Sequence, residues 1–269
     1  MHAQELELIG PEHLPDYRAQ AFDISRACWP EFMLHDAVAD EHWHALFDSF
    51  GDYQFGLYDT ERKVLAAMGN SLPFRWERPL EELPEGGWDW VMVQAVEDRR
   101  AGRAPNMQSA IQVAIRPEYQ GRGLSMRMIA AMRDIGKSQG LRSLVAPVRP
   151  NEKARYPLIR IDDYLLWRNA EGLPFDAWLR VHVRAGAHIM KACHASMRIA
   201  GRRADWEQWT GLKFPQSAAY IVPGALNPIE LDLEKDEGLY LEPNVWVVHP
   251  LRSPGLGEAQ RVDTSTSLM

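Results

Sequence analysis

The sequence predicts a mixed α/β fold, in which a central sheet carries helices on its faces. The first observation is a strand, a glycine-containing turn and a helix that follow one another between residues 109 and 139. A further strand at residues 143–148 should lie parallel to the first, because a helical crossover joins them. The third observation is a series of short apolar runs after residue 195, separated by Gly and Pro, which predicts a β-rich C-terminal part.

The central unit is the best defined part of the pattern. Residues 109–115 are mostly apolar and β-branched, as in a buried strand. Residues 124–139 carry apolar side chains at helical spacing, with polar residues on the opposite face. The next strand, at residues 143–148, is followed by Asn151, which is placed to cap a short helix that runs into Tyr156.

The other elements follow from apolar periodicity and from the Pro and Gly residues that interrupt it. In chain order we predict a strand at 6–9, helices at 14–28 and 40–50, a hairpin of strands at 54–58 and 64–69, helices at 88–101 and 178–191, and strands at 196–199, 219–222, 229–233 and 245–249. Residues 201–250 would form a β-rich extension that completes the sheet and the substrate site of a domain formed by residues 1–200. Residues 251–269 are rich in Ser, Thr, Gly and Gln, so we expect a flexible tail.

Composition and charge narrow the function classes. At 269 residues, with 46% hydrophobic and 25% charged residues, the chain can bury an ordinary globular core. A net charge of −7 argues against nonspecific nucleic-acid binding, so no nucleic acid is expected as a partner. No apolar run is long enough to span a membrane, so no membrane association is expected either. The chain has 2 cysteines and no secretory signal pattern, which predicts a cytoplasmic protein.

The turn at residues 120–125 is the strongest functional signal. Gly121 and Gly123 lack a Cβ atom, so a phosphate can approach the backbone and several N–H groups can converge on it. The N-terminus of the following helix adds a partial positive charge, and Arg122 adds a formal one. In its strand–turn–helix context the turn predicts a pyrophosphate site. A tight turn that needs two glycines for its geometry alone is the alternative.

The order of the elements and this turn resemble the GNAT superfamily of acyltransferases, which bind acetyl-CoA. The likeness covers residues 5–200, and the family's motif runs Gln/Arg-x-x-Gly-x-Gly/Ala between the fourth strand and the third helix. Gln120, Gly123 and Ser125 occupy its three defining positions, and Ser125 departs from it with a small side chain. The resemblance implies a GNAT fold: a central, mostly antiparallel twisted sheet with a splayed parallel strand pair, flanked by helices.

The resemblance also implies which residues hold acetyl-CoA or another acyl-CoA. Backbone groups of one strand should pair with the pantetheine arm, and amides of the turn should hold the pyrophosphate. The implied cofactor-binding residues are Val113, Ala114, Ile115, Gln120, Gly121, Arg122, Gly123, Leu124, Ser125 and Asn151. Tyr156 is near the place where many members carry a Tyr that protonates the departing thiolate. A tyrosine packed beside Pro157 is the alternative for this position.

His182 is the preferred candidate for a general base. Two arginines lie beside it in sequence, and neighbouring cations lower the pKa of an imidazole and favour its neutral form. A packed histidine without a catalytic role is the alternative. Glu242 and His249 flank the last predicted strand and are weaker candidates. The pair His42 and His44 lacks a third ligand at a useful spacing, so no metal is predicted.

A second resemblance points to a different chemistry. Residues Leu173–Asp176, Trp178–His182 and Val222–Pro228 look like GNAT-like domains at the loading end of some polyketide synthases. Those domains are associated with malonyl decarboxylation and acyl transfer to a carrier protein. In such a reaction His182 would hydrogen-bond a thioester carbonyl, and Arg184 would hold a carboxylate.

Three functions therefore remain open. The first is an acyltransferase that uses acetyl-CoA or a related acyl-CoA to acylate a small-molecule amine. The second is a malonyl-thioester decarboxylase or S-acyltransferase that acts with an acyl carrier protein, and the third is a non-catalytic CoA-binding module. The sequence favours the first, with His182, Arg184 and Tyr156 as catalytic residues. A β-rich C-terminal part of this kind also allows a homodimer.

Overall fold

The computed structural model describes residues 6–252, so nearly all of the predicted flexible tail lies outside the described residues. The strands are β1 (Leu6–Ile9), β2 (Gln54–Asp59), β3 (Val64–Phe74), β4 (Met107–Ile115), β5 (Ser143–Val148), β6 (His188–Gly201), β7 (Ala218–Tyr220), β8 (Ile229–Asp232) and β9 (Glu237–Pro250). The α-helices are α1 (Tyr17–Cys28), α2 (Ala37–His42), α3 (Ala45–Asp48), α4 (Gly87–Arg100), α5 (Leu124–Ser138), α6 (Ile161–Leu165), α7 (Ala177–Arg184) and α8 (Arg203–Thr210). Within the described range, each helix is too short or too polar to cross a bilayer.

One sheet contains the strands of the described chain, and it is mostly antiparallel. Strands β1 to β4 are antiparallel neighbours in sequence order, and β5 and then β9 follow them. β9 carries β6 along its other edge, while β8 pairs with the first residues of β9. β4 and β5 form a parallel pair. The predicted mixed α/β fold, with a mostly antiparallel sheet, a parallel strand pair and flanking helices, is confirmed.

β4 and β5 diverge soon after they meet. Only Gln108 with Leu144 and Ser109 with Val145 are paired in the described sheet, although β4 and β5 both continue for several residues. The later residues of β4 keep their pairing with β3 on the opposite edge. The edge of β4 that faces β5 therefore borders a gap, where its N–H and C=O groups are available to an extended ligand.

Helices cover both faces of the sheet around this gap. Side chains alternate between the faces along β9. Asn244 lies on the face of α4, because its side chain reaches Ser196, which in turn accepts the backbone N–H of Trp88. Val247 lies on the other face and packs in one cluster with Leu179 of α7. Since α2 contacts α4 and α5 contacts α7, the first pair of helices covers one face and the second pair covers the other.

Helix α5 forms where its apolar stripe predicts it. Met128, Ile129 and Met132 are buried against the sheet. The helix ends at Ser138, and Gly140 follows with φ of 71°, in the left-handed region that glycine favours. The burial of this stripe fixes the turn before α5 rigidly to the sheet.

The predicted helix at 178–191 is wrong in its second half. Helix α7 ends at Arg184, and Gly186 has φ of 88°, which turns the chain into β6 at His188. A strand of 14 residues therefore replaces the last helical turn and the short strand predicted at 196–199. Apolar spacing alone did not separate the two elements, because helix and strand meet here without a polar loop.

Two other helix predictions need correction. The predicted helix at 40–50 is divided into α2 and α3, and α2 begins before it because Asp36 accepts the backbone N–H of Ala39 at 2.9 Å as an N-cap. Helix α8 lies within the region predicted to be β-rich, where the sequence analysis proposed no helix. Its buried Trp206 donates from Nε1 to the carbonyl of Gly238 at 2.9 Å, which holds α8 against β9. That contact is long-range, and local periodicity does not reveal it.

Candidate functional site

A cavity of about 1110 Å³ lies where β4 and β5 diverge. Its wall includes Ile129 of α5 and His182 of α7 on one face of the sheet. It also includes Ala39 of α2 and Trp88 of α4 on the other face. The middle of the wall is formed by β4 and β5 themselves. The cavity therefore connects the two faces of the sheet through the strand gap.

The turn before α5 forms one end of this cavity, lined by Gln120, Gly121, Gly123, Leu124 and Ser125. Gly121 and Gly123 have φ of 73° and 74°, and a Cβ atom at either position would meet no atom within 4 Å. The glycines are thus required by the backbone conformation, and the space above them is open. The first amides of α5, at the positive end of its dipole, lie at the same place. This end fits a pyrophosphate.

The side chain of Arg122 extends from the turn and does not line the cavity. Its Nη2 donates to the carbonyl of Glu118 at 2.8 Å, and its guanidinium lies 5.0 Å from the ring centre of Tyr119. Tyr119 donates to Asp59 of β2 at 2.6 Å. These contacts attach the turn to the first half of the sheet and keep a positive charge next to it.

The exposed edge of β4 forms the next part of the wall. Val113, Ala114 and Ile115 line the cavity and pair with β3 on their other side. Gln112 and Ser25 of α1 also line the cavity, and the amide of Gln112 donates to the hydroxyl of Ser25 at 3.3 Å, which attaches β4 to α1. The gap fits an extended arm that carries amide groups, such as the pantetheine of CoA.

Asn151 follows β5 and also lines the cavity. The predicted cap is wrong: the short 3-10 helix Lys153–Arg155 has Glu152 as its cap residue. The Oδ1 of Asn151 instead accepts the backbone N–H of Trp178 at 3.3 Å. The same N–H also donates to Asp176, the N-cap residue of α7, at 2.9 Å, so Asn151 shares it and ties the end of β5 to α7. A role of Asn151 beside the cofactor arm stays a prediction.

His182 contributes a buried imidazole to the wall. Its side chain is 4% exposed, and its Nδ1 lies 3.0 Å from Nε2 of His249 on β9. Among the described residues, no group forms a hydrogen bond with Nε2 of His182. Burial, and then the charge of His249, lowers the pKa of His182 to about 3, so the ring is neutral. The sequence analysis attributed such a shift to adjacent arginines, whereas the structure attributes it to burial.

The surroundings of the histidine pair favour one tautomer. Burial and then the charge of Arg133 lower the pKa of His249 to about 4, while the carbonyl of Ala185 opposes this shift. Nε2 of His249 faces His182, so the Ala185 carbonyl acts on the remaining nitrogen, Nδ1, although Nδ1 forms no hydrogen bond within the described residues. From this influence alone we infer that Nδ1 of His249 carries the proton. Nε2 of His249 then accepts a hydrogen bond from Nδ1 of His182. The Nε2 of His182 is thereby left with a lone pair at the cavity wall.

The structure does not bring Tyr156 or Arg184 to the cavity wall. Tyr156 packs edge-on against Trp167 and Phe175, with ring centres 5.0 and 5.9 Å apart. Arg184 pairs with Glu171 at 2.8 Å, and its side chain is 54% exposed. Two positions along a helix correspond to a rotation of about 200°, so Arg184 leaves α7 on nearly the opposite side from His182. Sequence proximity to His182 therefore did not mean spatial proximity.

On the face of α4 the cavity is lined by Arg149, Glu242 and Asn244. Glu242 is fully buried and accepts the hydroxyl of Tyr240 at 2.7 Å. Its other oxygen lies 2.7 Å from Nε of Arg149, which also donates to the carbonyl of Gly224. Burial raises the pKa of Glu242, and the charge of Arg149 opposes that shift. Arg149 is therefore already opposite a carboxylate.

Asn244 presents a fixed hydrogen-bond acceptor. Its side chain is 2% exposed, and Nδ2 donates to the carbonyl of Pro147 at 3.2 Å and to Oγ of Ser196 at 2.9 Å. With both donors engaged, the orientation of the amide is set. Oδ1 forms no hydrogen bond with any residue in the range 6–252. The sequence analysis missed Asn244, because nothing local distinguishes an Asn in a β-rich segment.

Asp36 and Asp89 form a buried carboxyl pair near these residues. Asp36 is fully buried, and Asp89 accepts the backbone N–H of Arg198 at 2.9 Å. Burial, the charge of Asp36 and, to a smaller extent, the charge of Glu242 raise the pKa of Asp89 to about 8. Burial also raises the pKa of Asp36. No local sequence pattern indicates this pair, since its members come together only in the folded chain.

No metal cluster is found in the part of the chain that the structure describes, where no three His, Cys, Asp or Glu side chains are arranged around a common point. The two cysteines are both free thiols, and Cys28 donates to the carbonyl of Ile115 at 3.4 Å.

Comparison with known proteins agrees with this geometry. No protein-family model matches the chain. Over 266 residues the chain is 31% identical to an arginine N-acetyltransferase of Aspergillus versicolor, and the alignment covers 88% of this chain and 91% of the relative. Similarity over nearly the full length of both proteins means that they share a family.

Two solved structures resemble the whole chain. The loading GNATL domain of CurA from Lyngbya majuscula has a TM-score of 0.61 at 18% identity, and the superposition covers 92% of this chain and 98% of that domain. The GphF GNAT-like decarboxylase in complex with isobutyryl-CoA has a TM-score of 0.54 at 12% identity, with coverage of 91% and 100%. At such identities the similarity concerns the fold alone.

Proposed function

Because the chain belongs to the GNAT superfamily and is a CoA-dependent acyltransferase, we propose that it transfers the acetyl group of acetyl-CoA to a nitrogen atom of a small-molecule amine. One observation carries the proposal: a single cavity joins the turn that fits a pyrophosphate to the unpartnered ring nitrogen of His182. Two substrates bound in one cavity can react directly, so no nucleophilic side chain is needed.

We assign the donor to the turn and to the exposed edge of β4. The amides between Gly121 and Ser125 would hold the pyrophosphate, and Arg122 would add positive charge from beside the turn. Backbone groups of Val113 and Ile115 would pair with the amides of the pantetheine arm. Acetyl-CoA supplies an activated thioester carbonyl when it is bound there.

We assign proton transfer to His182. In N-acyl transfer an N–C bond forms, a C–S bond breaks, and the attacking nitrogen loses one proton. The lone pair on Nε2 of His182 accepts that proton, and the hydrogen bond from Nδ1 to His249 supports the charge that develops on the ring. The proton then passes to the departing sulfur, which leaves as a thiol, so atoms and charges balance.

The low pKa of His182 is compatible with this role. The ring is neutral at any pH above about 3, and it therefore needs no prior deprotonation. The attacking nitrogen becomes much more acidic as the N–C bond forms, so a weakly basic imidazole suffices to receive its proton. The acceptor amine must itself be neutral when it attacks, and its own pKa then controls the rate near neutral pH.

The Aspergillus relative supports the nature of the acceptor. Its name gives arginine as the acylated molecule, and we extend this to arginine or a similar amine for the present chain. The second chemistry, malonyl decarboxylation with a carrier protein, would require a free cation for the carboxylate and an N–H group for the thioester carbonyl. Arg149 already faces Glu242, Arg184 lies outside the wall, and His182 presents a lone pair.

The test identifies the products. The protein is incubated with acetyl-CoA or malonyl-CoA and a panel of amines that includes arginine, and mass spectrometry follows N-acetyl products, free thiol and CO2. We expect N-acetylated amine and free thiol in equal amounts from acetyl-CoA. Release of CO2 from malonyl-CoA, without N-acylation of any amine, would contradict the proposal and favour the decarboxylase. His182→Gln should bind CoA as the natural protein does and lose turnover.

A further inference from the structure

We propose that the part of the cavity lined by Arg149, Glu242 and Asn244, here named the acceptor chamber, binds the acceptor through a guanidinium group. The inference rests on the proposed N-acyl transfer and adds the residues that recognise the acceptor. Three features support it: a fixed amide oxygen that no described residue partners, a cluster of three carboxyl groups at and behind the chamber wall, and an aromatic wall.

The amide oxygen of Asn244 is the first feature. It is buried in the wall, and no donor of the described chain reaches it. Both hydrogens of its Nδ2 are engaged by Pro147 and Ser196, so rotation of the amide would break two hydrogen bonds. Buried acceptors are usually satisfied, and a ligand N–H in the chamber would satisfy this one.

The charge balance of the chamber is the second feature. Glu242 supplies one carboxyl group to the chamber wall, and the Asp36–Asp89 pair lies close behind the wall without lining the cavity. Arg149 is the cation that lies opposite Glu242 in the chamber wall. Burial raises the pKa of Asp89 most, and the charges of Asp36 and Glu242 raise it further, so the three carboxyl groups repel one another when they are ionised. A cationic ligand relieves this repulsion, whereas an anionic ligand increases it.

The aromatic wall is the third feature. Trp43 and Trp88 both line the cavity, and their rings are stacked with centres 6.4 Å apart and planes inclined by 15°. Trp29 lies on the same wall, and the guanidinium carbon of Arg149 is 5.9 Å from its ring centre. Arg149 is therefore a guanidinium that this environment already stabilises: a carboxylate lies at the edge of the group and an indole ring lies at its face.

These features favour a guanidinium over an ammonium group. A guanidinium carries several N–H donors in one plane, so it can donate hydrogen bonds to the oxygens of Asn244 and Glu242 at the same time while its face contacts an indole ring. An ammonium is compact and strongly hydrated, and it gains less from a flat aromatic wall. A neutral urea has a similar shape, but it lacks the charge and one donor edge.

Binding of matched probes tests the inference without turnover. We would titrate butylguanidinium or butylurea into the full-length protein saturated with CoA and determine the dissociation constant of each by calorimetry. The two probes differ in charge and share their shape. We expect butylguanidinium to bind about 30-fold more tightly than butylurea. Glu242→Gln should weaken butylguanidinium binding about tenfold or more and leave butylurea unchanged. Glu237→Gln, at an exposed position on the same strand, should change neither.

Equal binding of the two probes by the natural protein would overturn the inference, and this comparison needs no variant that must fold. Failure of guanidinium recognition can also be distinguished from failure of the proposed N-acyl transfer. If amines are acetylated but butylguanidinium has no advantage, N-acyl transfer stands and the guanidinium chamber is wrong. If butylguanidinium binds selectively but no amine is acetylated, the chamber stands and the proposed reaction is wrong.

Discussion

Replacing Gly123 by Ala separates the phosphate role of the turn from its role in folding. Gly123 has φ of 74°, and an added Cβ atom would meet no atom of residues 6–252 within 4 Å. The cost in folding is therefore the strain of a left-handed alanine, about 1–2 kcal/mol. No steric clash within the protein adds to it.

The effect on CoA binding should be larger than this strain implies. The methyl group would occupy the open space in which the amides at the start of α5 meet a phosphate. Loss of one hydrogen bond to a charged group costs about 1.5–3 kcal/mol, and about 1.4 kcal/mol corresponds to a factor of ten in affinity. We therefore expect the dissociation constant of CoA to rise about 10- to 100-fold.

Gly172→Ala provides a matched control. Gly172 has the same φ of 74° and equally open surroundings, but it does not line the cavity. Thermal melting should show a similar loss of stability in both variants, and titration with CoA should show weaker binding in Gly123→Ala only. Equal CoA affinity in the two variants would refute the assignment of the pyrophosphate to this turn.

Three further predictions concern the titratable groups. His249→Phe removes the acceptor for Nδ1 of His182, so turnover should fall about 10- to 100-fold while CoA binding is kept. The nitrogen chemical shifts of His182 should show a changed tautomer, and His249→Gln, which keeps an acceptor, should restore part of the rate. Unchanged shifts and unchanged turnover in His249→Phe would show that His249 has no positioning role. Burial holds the pKa of His182 at about 3 and that of His249 at about 4, below the value of a histidine in the unfolded chain, about 6.5. The folded chain therefore binds fewer protons than the unfolded chain, and the free energy of unfolding should fall as the pH drops below about 6.5. The decrease should reach up to about 1.4 kcal/mol per pH unit for each ring. Urea unfolding at pH 7 and pH 5 measures this, and equal stabilities would contradict it. Because the pKa of Asp89 is about 8, butylguanidinium should bind more tightly at pH 9 than at pH 7, and calorimetry on Asp89→Asn should show no such gain.

The sequence predicted the parts of the site that depend on local chemistry. Gly121 and Gly123 are recognisable because a left-handed turn between a strand and a helix needs glycine, and the structure has both in that conformation. His182 was recognised for an incomplete reason, since burial and His249 set its pKa and the adjacent arginines do not. Arg184 was proposed for the same reason, and the structure places it outside the cavity wall, because proximity in sequence does not fix the side of a helix.

The far part of the site depends on contacts between distant segments. Asn244 meets Ser196 across 48 residues and Pro147 across 97 residues, and Asp36 acts on Asp89 across the interface of α2 and α4. The contacts of Asn244 form only after β9 has entered the sheet, and the aspartates meet only after α2 has packed against α4, so no local pattern reveals either. The acceptor chamber therefore depends on the pairing of β9 with β5, whereas the end of the cavity assigned to the donor is formed by the single turn at residues 120–125.

The most direct test of the account is a single-turnover measurement on the natural protein and on His182→Gln. Excess protein is mixed with acetyl-CoA and an acceptor amine, the reaction is quenched at successive times, and N-acetylated amine, free thiol and the intact protein mass are followed together. We expect N-acetylated amine and free thiol to form at the same rate, with no acetylated protein. His182→Gln should bind CoA normally but lower this rate about 10²- to 10⁴-fold. An unchanged rate in His182→Gln, or an acetylated protein that appears before the product, would contradict direct transfer with His182 as the proton acceptor.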